Sequence, residues 1–365
     1  MTRSLKKIAF VVEEFALRSP AQQLLDRFLI GYARDGEFHR LEGCRIALHL
    51  TAAGESSELA QRVKDFGLVR EPSLEKAVAD ADAAVVVWRG AGANDALLTA
   101  TLASLPRGAA CFVHGALASS LDAANAASRF AGERGVALSA GTPTAVTFRL
   151  PEIELPRDAA VQEGLIVVQG SFPDAELDAL EGLLPLIERR RGGESGLRSV
   201  RHLEGQAVWE AGQHAQWSWP LLAAAISRSN TPQGDPVKDG RTQDLAGLGL
   251  VPTLAKNPRA WLFEHRDGLR SSLLVLDGVV ADINFAVRTN SGKIISAQLY
   301  RPPPPAQEYF SRLAATMEDF FRSGKPPWPL HRNLLIAGLL ETMAKPAVRS
   351  GNPISTPELS TAYAG

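Results

Sequence analysis

The chain has 365 residues, 45% hydrophobic and 22% charged, with a formal net charge of −1, which is ordinary for a globular protein and long enough for two domains with sizeable cores. That near-neutral balance, with Arg189-Arg190-Arg191 the one short basic run, argues against nucleic acid or an anionic membrane as partner. No run approaches the ~18 apolar residues of a spanning helix and no apolar segment precedes the first strand, so a cytoplasmic protein is expected, with Cys44 and Cys111 as buried free thiols.

Ile8, Ala9, Phe10, Val11 and Val12 form a continuous apolar run that reads as a strand buried on both faces. After Glu13 and Glu14, Ser19 and Pro20 read as the N-cap and first residue of a helix, with Leu24, Leu25, Phe28, Leu29 and Tyr32 at helical spacing. Strand patterns then fall at residues 45–50, 83–88, 109–113 and 136–139. Helical patterns fall at 56–66, 73–79, 94–105 and 119–134. Such alternation predicts βαβ units in a doubly wound parallel sheet, with ligands beyond the carboxyl ends of the strands. The loops at 13–18, 51–55, 89–93 and 114–118 are therefore the ones to watch.

Pro143, Pro151 and Pro156 break the alternation and predict a crossing into a second domain, giving domains of 1–145 and 146–365. A strand at 164–169 leads into a helix capped near Ser171 or Asp174, with Leu177, Leu180, Leu183, Leu184 and Ile187 on one face. Four strands follow at 260–265, 269–276, 279–288 and 293–300. Asp267-Gly268 and Asp277-Gly278 are hairpin signals, so an antiparallel meander is expected. Two helices at 308–322 and 330–345 close the pattern.

A parallel first half, a meander second half and a closing helix of the form Pro329-x-x-Arg332-Asn333-Leu334-Leu335-Ile336-Ala337-Gly338-Leu339, followed by Gly351 and a short strand, resemble the glucose-fructose oxidoreductase and inositol dehydrogenase (Gfo/Idh/MocA) family. The resemblance implies a Rossmann-like domain and an α/β domain with a large, mostly antiparallel open sheet serving as an oligomer interface. It also implies NAD(P)-dependent oxidation of sugars or cyclitols. Three motifs of that family fall on positions where this chain differs. The glycine loop G-x-G-x-x-G is absent, and Glu13 and Glu14 stand in its turn. At the positive end of a helix dipole, two carboxylates would repel a phosphate. The Glu-Lys-Pro segment matches His114-Gly115-Ala116, without the lysine. The histidine of the next helix matches Asp178.

Hydride removal from a carbinol carbon needs an acceptor for the hydroxyl proton. Asp178 is the candidate base; the alternative is a solvated residue in the first turn of a helix, favoured by the macrodipole. Candidate substrate-binding residues are Arg89 and His114 at the strand ends, Arg191 in the arginine run, His214 among Trp209, Trp217 and Trp219, and Arg241 and Asp244 in the polar loop 229–244, read as a lid. For the arginines, cations at a helix C-terminus before a glycine are the alternative; for the tryptophans, core aromatics are. The scattered histidines give no metal-ligand spacing.

Two functions are compatible with these residues. One is a ligand-binding or structural protein for a sugar-like or cyclic compound, without conventional NAD-dependent turnover, pairing with itself or a homologue through the open sheet. It expects the cleft blocked by Glu13, Glu14, Phe15 or Leu17 and an apolar face on the meander. The other is an active oxidoreductase with a replaced base, NAD(P) as cofactor and a cleft lined by Arg89, His114, Asp178 and the polar loop.

Overall fold

The computed structural model describes residues 4–51, 57–90, 92–233, 244–303 and 306–365. The chain forms two compact units, Met1–Val146 with Pro302–Ala337, and Thr147–Arg301 with Gly338–Gly365.

The first unit opens on β1 (Lys7–Val12), all six residues buried, as a strand flanked on both sides and covered on both faces requires. Ser19 caps α1 (Pro20–Leu29), its Oγ accepting the Gln22 N–H. A hairpin of β2 (Tyr32–Arg34) and β3 (Glu37–His39) follows. The apolar spacing had carried Tyr32 into the helix. Instead Asp35 and Gly36 turn the chain at φ 53° and 83°, the left-handed pair that a two-residue hairpin needs. The alternation then runs through β4 (Arg45–Leu50), α2 (Ser57–Phe66), β5 (Val69–Arg70), α3 (Leu74–Val78), β6 (Ala83–Val87), α4 (Asp95–Ser104), β7 (Ala110–His114), α5 (Leu121–Arg134) and β8 (Ala137–Gly141). Sheet order is β5-β4-β1-β6-β7-β8, parallel at every pairing. The order reverses beside β1, which makes the carboxyl ends of β1 and β6 the switch point where such sheets hold ligands.

The second unit holds β9 (Arg149–Leu150), β10 (Val161–Val168), α6 (Asp174–Ile187), β11 (Leu197–Glu204), α7 (Gln206–Gln213), α8 (Trp219–Ile226), α9 (Val251–Leu254), β12 (Lys256–His265), β13 (Arg270–Asp277), β14 (Ile283–Thr289) and β15 (Ile294–Leu299). After them come α10 (Gln307–Ser323), α11 (Leu330–Ala344) and β16 (Ile354–Ser355). The sheet order is β16-β11-β12-β13-β10-β14-β15-β9, with only β10 and β13 parallel.

This corrects the meander in two ways. Asp267-Gly268 does close a hairpin between β12 and β13. Asp277-Gly278 does not: β10 lies between β13 and β14, so the chain leaves β13 through the buried Val279 and Val280 and crosses over β10. The Asp277 carboxylate meanwhile accepts the Gly170 N–H at 2.8 Å, tying down the exit of β10.

The sheet is also not bare. Gly164 on β10 faces α6, where a Cβ would lie 3.2 Å from Ile187. The alternate residues Leu165 and Val167 point to the opposite face, joining Ala260, Leu274, Leu276 and Ala286 in a core closed by Trp209, Trp217, Leu221, Leu222 and Val251 of the α7–α9 segment. At β10, β12, β13 and β14 this apolar face thus packs against the chain's own helices. The tryptophans belong to that core. Trp217 is fully buried with Nε1 donating to the Val208 carbonyl at 2.8 Å, so they form packing and not an aromatic platform.

Residues 302–337 return to the first unit, where Leu313, Met317, Phe320, Phe321 and Trp328 pack with Phe10, Phe28 and Phe112. Each such fully buried side chain contributes roughly 1.5–3 kcal/mol. In the same unit Asn333 clasps Ala140, accepting its N–H and donating to its carbonyl at 3.1 and 2.8 Å. Cys111 is buried; Cys44 lies just before β4 and is only half buried, against expectation, and both thiols are free.

Candidate functional site

The switch point of the first unit is the natural place for a ligand, and three loops meet there. Glu13 follows β1 directly. Its carboxylate crosses to the loop after β6, accepting the Arg89 N–H and the Asn94 Nδ2–H, each at 2.8 Å. Asn94 is itself the N-cap of α4, its Oδ1 accepting the Leu97 N–H. Glu14 pairs with the Arg89 guanidinium at 3.0 Å. Asp95 in turn holds Ser119 of the loop after β7, accepting from both its N–H and its hydroxyl. Carboxylates therefore lace the strand-end loops together. They do so by reaching sideways, and not by lying at the start of α1.

The start of α1 is likewise occupied from within. Ser19 Oγ accepts the Gln22 and Ala16 N–H groups, and the Gln22 side-chain carbonyl accepts the Arg18 N–H at 2.5 Å. A diphosphate would use backbone donors of this kind. Phe15 is buried in the core while Leu17 stands 62% exposed, so of the side chains expected to fill the turn Phe15 has gone inward and Leu17 outward.

His114 ends β7, level with Val87 of β6. Its ring stacks on Phe310 at 6.3 Å and its Nε2 is enclosed with no hydrogen-bond partner among the described residues. Burial lowers its pKa to about 4, so the imidazole is neutral at neutral pH. Gly115 follows at φ +108°, a conformation that strains any L side chain, with Trp88 Cδ1 3.4 Å from where a Cβ would stand. Trp88 Nε1 donates to the Ala116 carbonyl and fixes the loop. The backbone here is shaped for glycine, so no lysine is accommodated at 115 without rearrangement.

In the second unit the sequence candidates are dispersed. Asp178 lies in the second turn of α6, not the first, with Arg301 at 3.7 Å. Arg191 lies four residues beyond the other end of that helix, whose C-terminus at Ile187 is itself about 14 Å from Asp178 at 1.5 Å per residue, and is exposed. The two do not share a site. Arg190 beside it is buried and saturated: Nε donates to Asp267, and Nη1 and Nη2 to Glu194, at 2.7, 3.0 and 3.3 Å. Arg189 donates to the Leu155 carbonyl and pairs with Glu154. His214 is exposed at the end of α7, its Nδ1 2.8 Å from the Glu210 carbonyl. Asp244 accepts the Gly247 N–H and caps a local turn. Arg241, with Asp235 and Asp239, lies outside the described residues.

Sequence reasoning missed a buried polar line in this unit. Glu194, 0% exposed, meets His265 Nδ1 at 2.8 Å, and His265 Nε2 meets Ser271 Oγ at 2.9 Å. Burial alone would raise Glu194, but His265 and Arg190 override it and hold it at about 2. Ser271 is 2% exposed, so this row of serine, histidine and carboxylate is an internal brace without access to substrate. It has no local signature, because its members come from β12, β13 and the loop before β11. Glu176 and Glu181 of α6 are buried as well, and Glu176 accepts from Arg259 Nη2 and Trp261 Nε1. Among the described residues no group of three or more His, Cys, Asp or Glu could hold a metal. Nor, among the described residues, is any helix long and apolar enough to cross a membrane.

No family model matches the sequence, and no curated protein does. Solved structures match the fold over nearly the whole chain. GenD2 from gentamicin A biosynthesis, solved in complex with NAD, aligns with a TM-score of 0.60 at 14% identity, covering 97% of this chain and 98% of its own. A putative myo-inositol dehydrogenase from Sinorhizobium meliloti aligns with a TM-score of 0.60 at 11% identity, covering 96% and 99%. A probable dehydrogenase from Thermotoga maritima gives 0.60 at 12%, covering 97% and 99%. The chain therefore has the two-part fold of the Gfo/Idh/MocA-type dehydrogenases, as its sequence resemblance led one to expect.

Proposed function

We propose that this chain is a dehydrogenase-fold protein that binds a sugar-like or cyclic compound, or serves as a structural subunit, without conventional NAD-dependent turnover. The observation that carries the reading is the Glu13 carboxylate at the switch point, committed to Arg89 N–H and Asn94 Nδ2. A diphosphate seated there would meet that negative charge and find the donors at the start of α1 already taken by Ser19 and Gln22. The glycine-shaped backbone at 115 supports the same conclusion, since it leaves no place for a lysine beside a substrate. The ligand class is carried over from the names of the structural neighbours, a putative myo-inositol dehydrogenase and GenD2 from gentamicin A biosynthesis.

Thermal-shift titration with NAD(H) and NADP(H) tests this. A ligand present at about 100 times its dissociation constant stabilises the folded state by ~2.7 kcal/mol, a rise readily seen in a melting curve. No shift is expected with either nucleotide. The second reading is an active oxidoreductase with Asp178 as base and the Arg301 guanidinium, 3.7 Å from it, as its neighbour. Under that reading Asp178→Asn abolishes turnover of a cyclitol while leaving the fold intact.

A further inference from the structure

A hollow of about 320 Å³ opens in the second unit where β10 begins, with Gln162, Arg191, Asp267, Gly268 and Asn290 in its walls. Its size falls within the ~300–1,000 Å³ that takes small organic ligands. The backbone sets its width. Arg191 N–H donates to the Ala159 carbonyl at 3.0 Å and Asn290 N–H to the Ala160 carbonyl at 2.8 Å, and Ala159 bridges Arg190 as parallel strands do. Successive carbonyls of an extended segment point to opposite sides, so residues 190–191 and 289–290 flank 159–160 like two neighbouring strands. At ~4.8 Å per strand spacing, Arg191 and Asn290 stand about 10 Å apart at their Cα atoms, a gap that their side chains can close around one ligand. Gln162 is added by a bulge. Val161 pairs with Thr289 and Glu163 with Arg288, so Gln162 is an extra residue, and its side chain is exposed.

The two arginines at this place have different duties. Arg190 is spent on Asp267 and Glu194, and its Nη1 also donates to the Ile187 carbonyl at 3.0 Å, which satisfies the end of α6. Facing two carboxylates, it brings the hollow no free charge. Arg191 is exposed, and its side chain has no hydrogen bond or ion pair among the described residues; the same holds for the amides of Gln162 and Asn290. Asp267, with its side chain 34% exposed, accepts from Arg190 Nε and the Leu269 N–H and keeps lone pairs for a further donor. The walls therefore present a guanidinium and two amides on one side and a carboxylate on the other. A ligand matching both carries one carboxylate and at least one hydroxyl. A second negative charge would meet Asp267.

We propose that this hollow binds a small hydroxy acid with a single carboxylate, held by Arg191 and the Asn290 amide while a hydroxyl donates to Asp267. The site belongs to the second unit alone, so its test is separate from that of the switch point. The probe is sodium gluconate, titrated calorimetrically into the intact protein. The controls are sorbitol, which has a hydroxymethyl in place of the carboxylate, and glucarate, which has a second carboxylate. Gluconate should bind at one site per chain, and each control about tenfold more weakly. Arg191→Gln should weaken gluconate about tenfold, as loss of a charge-assisted pair does, and Asn290→Ala about threefold. Both side chains are exposed and both backbone N–H bonds remain in these variants, so the melting temperature should not move. Arg198→Gln, which removes an exposed cation paired with Glu264, should leave affinity unchanged. Absence of saturable gluconate binding, equal affinity for sorbitol or glucarate, or indifference to Arg191→Gln would overturn the proposal.

Discussion

The switch-point turn of the first unit, which the sequence flags, and the Arg190–Glu194–His265 brace of the second, which it does not, are both clusters of charge spent on internal bonds. They differ in burial. Glu14 and Arg89 have side chains 49% and 79% exposed, whereas Glu194 and Arg190 are 0% and 3% exposed. Water already satisfies the first pair and cannot reach the second. The turn can therefore change at little cost to the fold, while the brace cannot.

Substitutions should sort along that divide. Glu194→Ala leaves the Arg190 guanidinium and His265 without their buried partner, and chemical denaturation should show a loss of about 3–5 kcal/mol. The pH profile comes next. His114 has its folded pKa depressed to about 4, so the stability it contributes is present above its unfolded value near 6.5 and lost as pH falls toward 4. Glu194, held at about 2, adds a second loss between about 4.5 and 2. Replacing His114 with Gln should shrink the upper step, to which buried His202 also contributes because burial lowers its pKa as well, and keep the lower one, read as melting temperature against pH. Glu13→Ala strips a partner from the Asn94 amide and the Arg89 N–H, and should cost about 1–2 kcal/mol in the same denaturation assay. Smallest of all, Glu14→Ala should fall within about 0.5 kcal/mol of the parent, since an exposed ion pair contributes little. A large Glu14 effect, or a small Glu194 one, would erase the distinction.

What the sequence made legible was local. The strand at 8–12, the Ser19 cap and the helix starts near 73, 94 and 119 rest on neighbours a few residues away, and each fell within a residue or two of its observed place. Long-range pairing was not legible. Nothing around Asp277-Gly278 announces that β10, more than 100 residues earlier, lies between the strands on either side. Conversely the Asp35-Gly36 turn carried the right hairpin signal but was masked by Tyr32, whose spacing continued the apolar stripe of α1. The α7–α9 cover was hidden for the same reason: its tryptophans look like a ligand platform until the sheet they bury is known. At the site, the missing glycines and lysine were evident from residue identity, but the destination of Glu13 was not, because its partners lie 76 and 81 residues away.

Isothermal calorimetry of the intact protein with NADH and with NADPH, each carried to millimolar concentration, tests the central claim most directly. The self-occupied turn predicts no saturable heat from either nucleotide. A saturable isotherm with a micromolar dissociation constant would contradict it, because the diphosphate would then have to sit against the Glu13 carboxylate that the fold has already committed elsewhere.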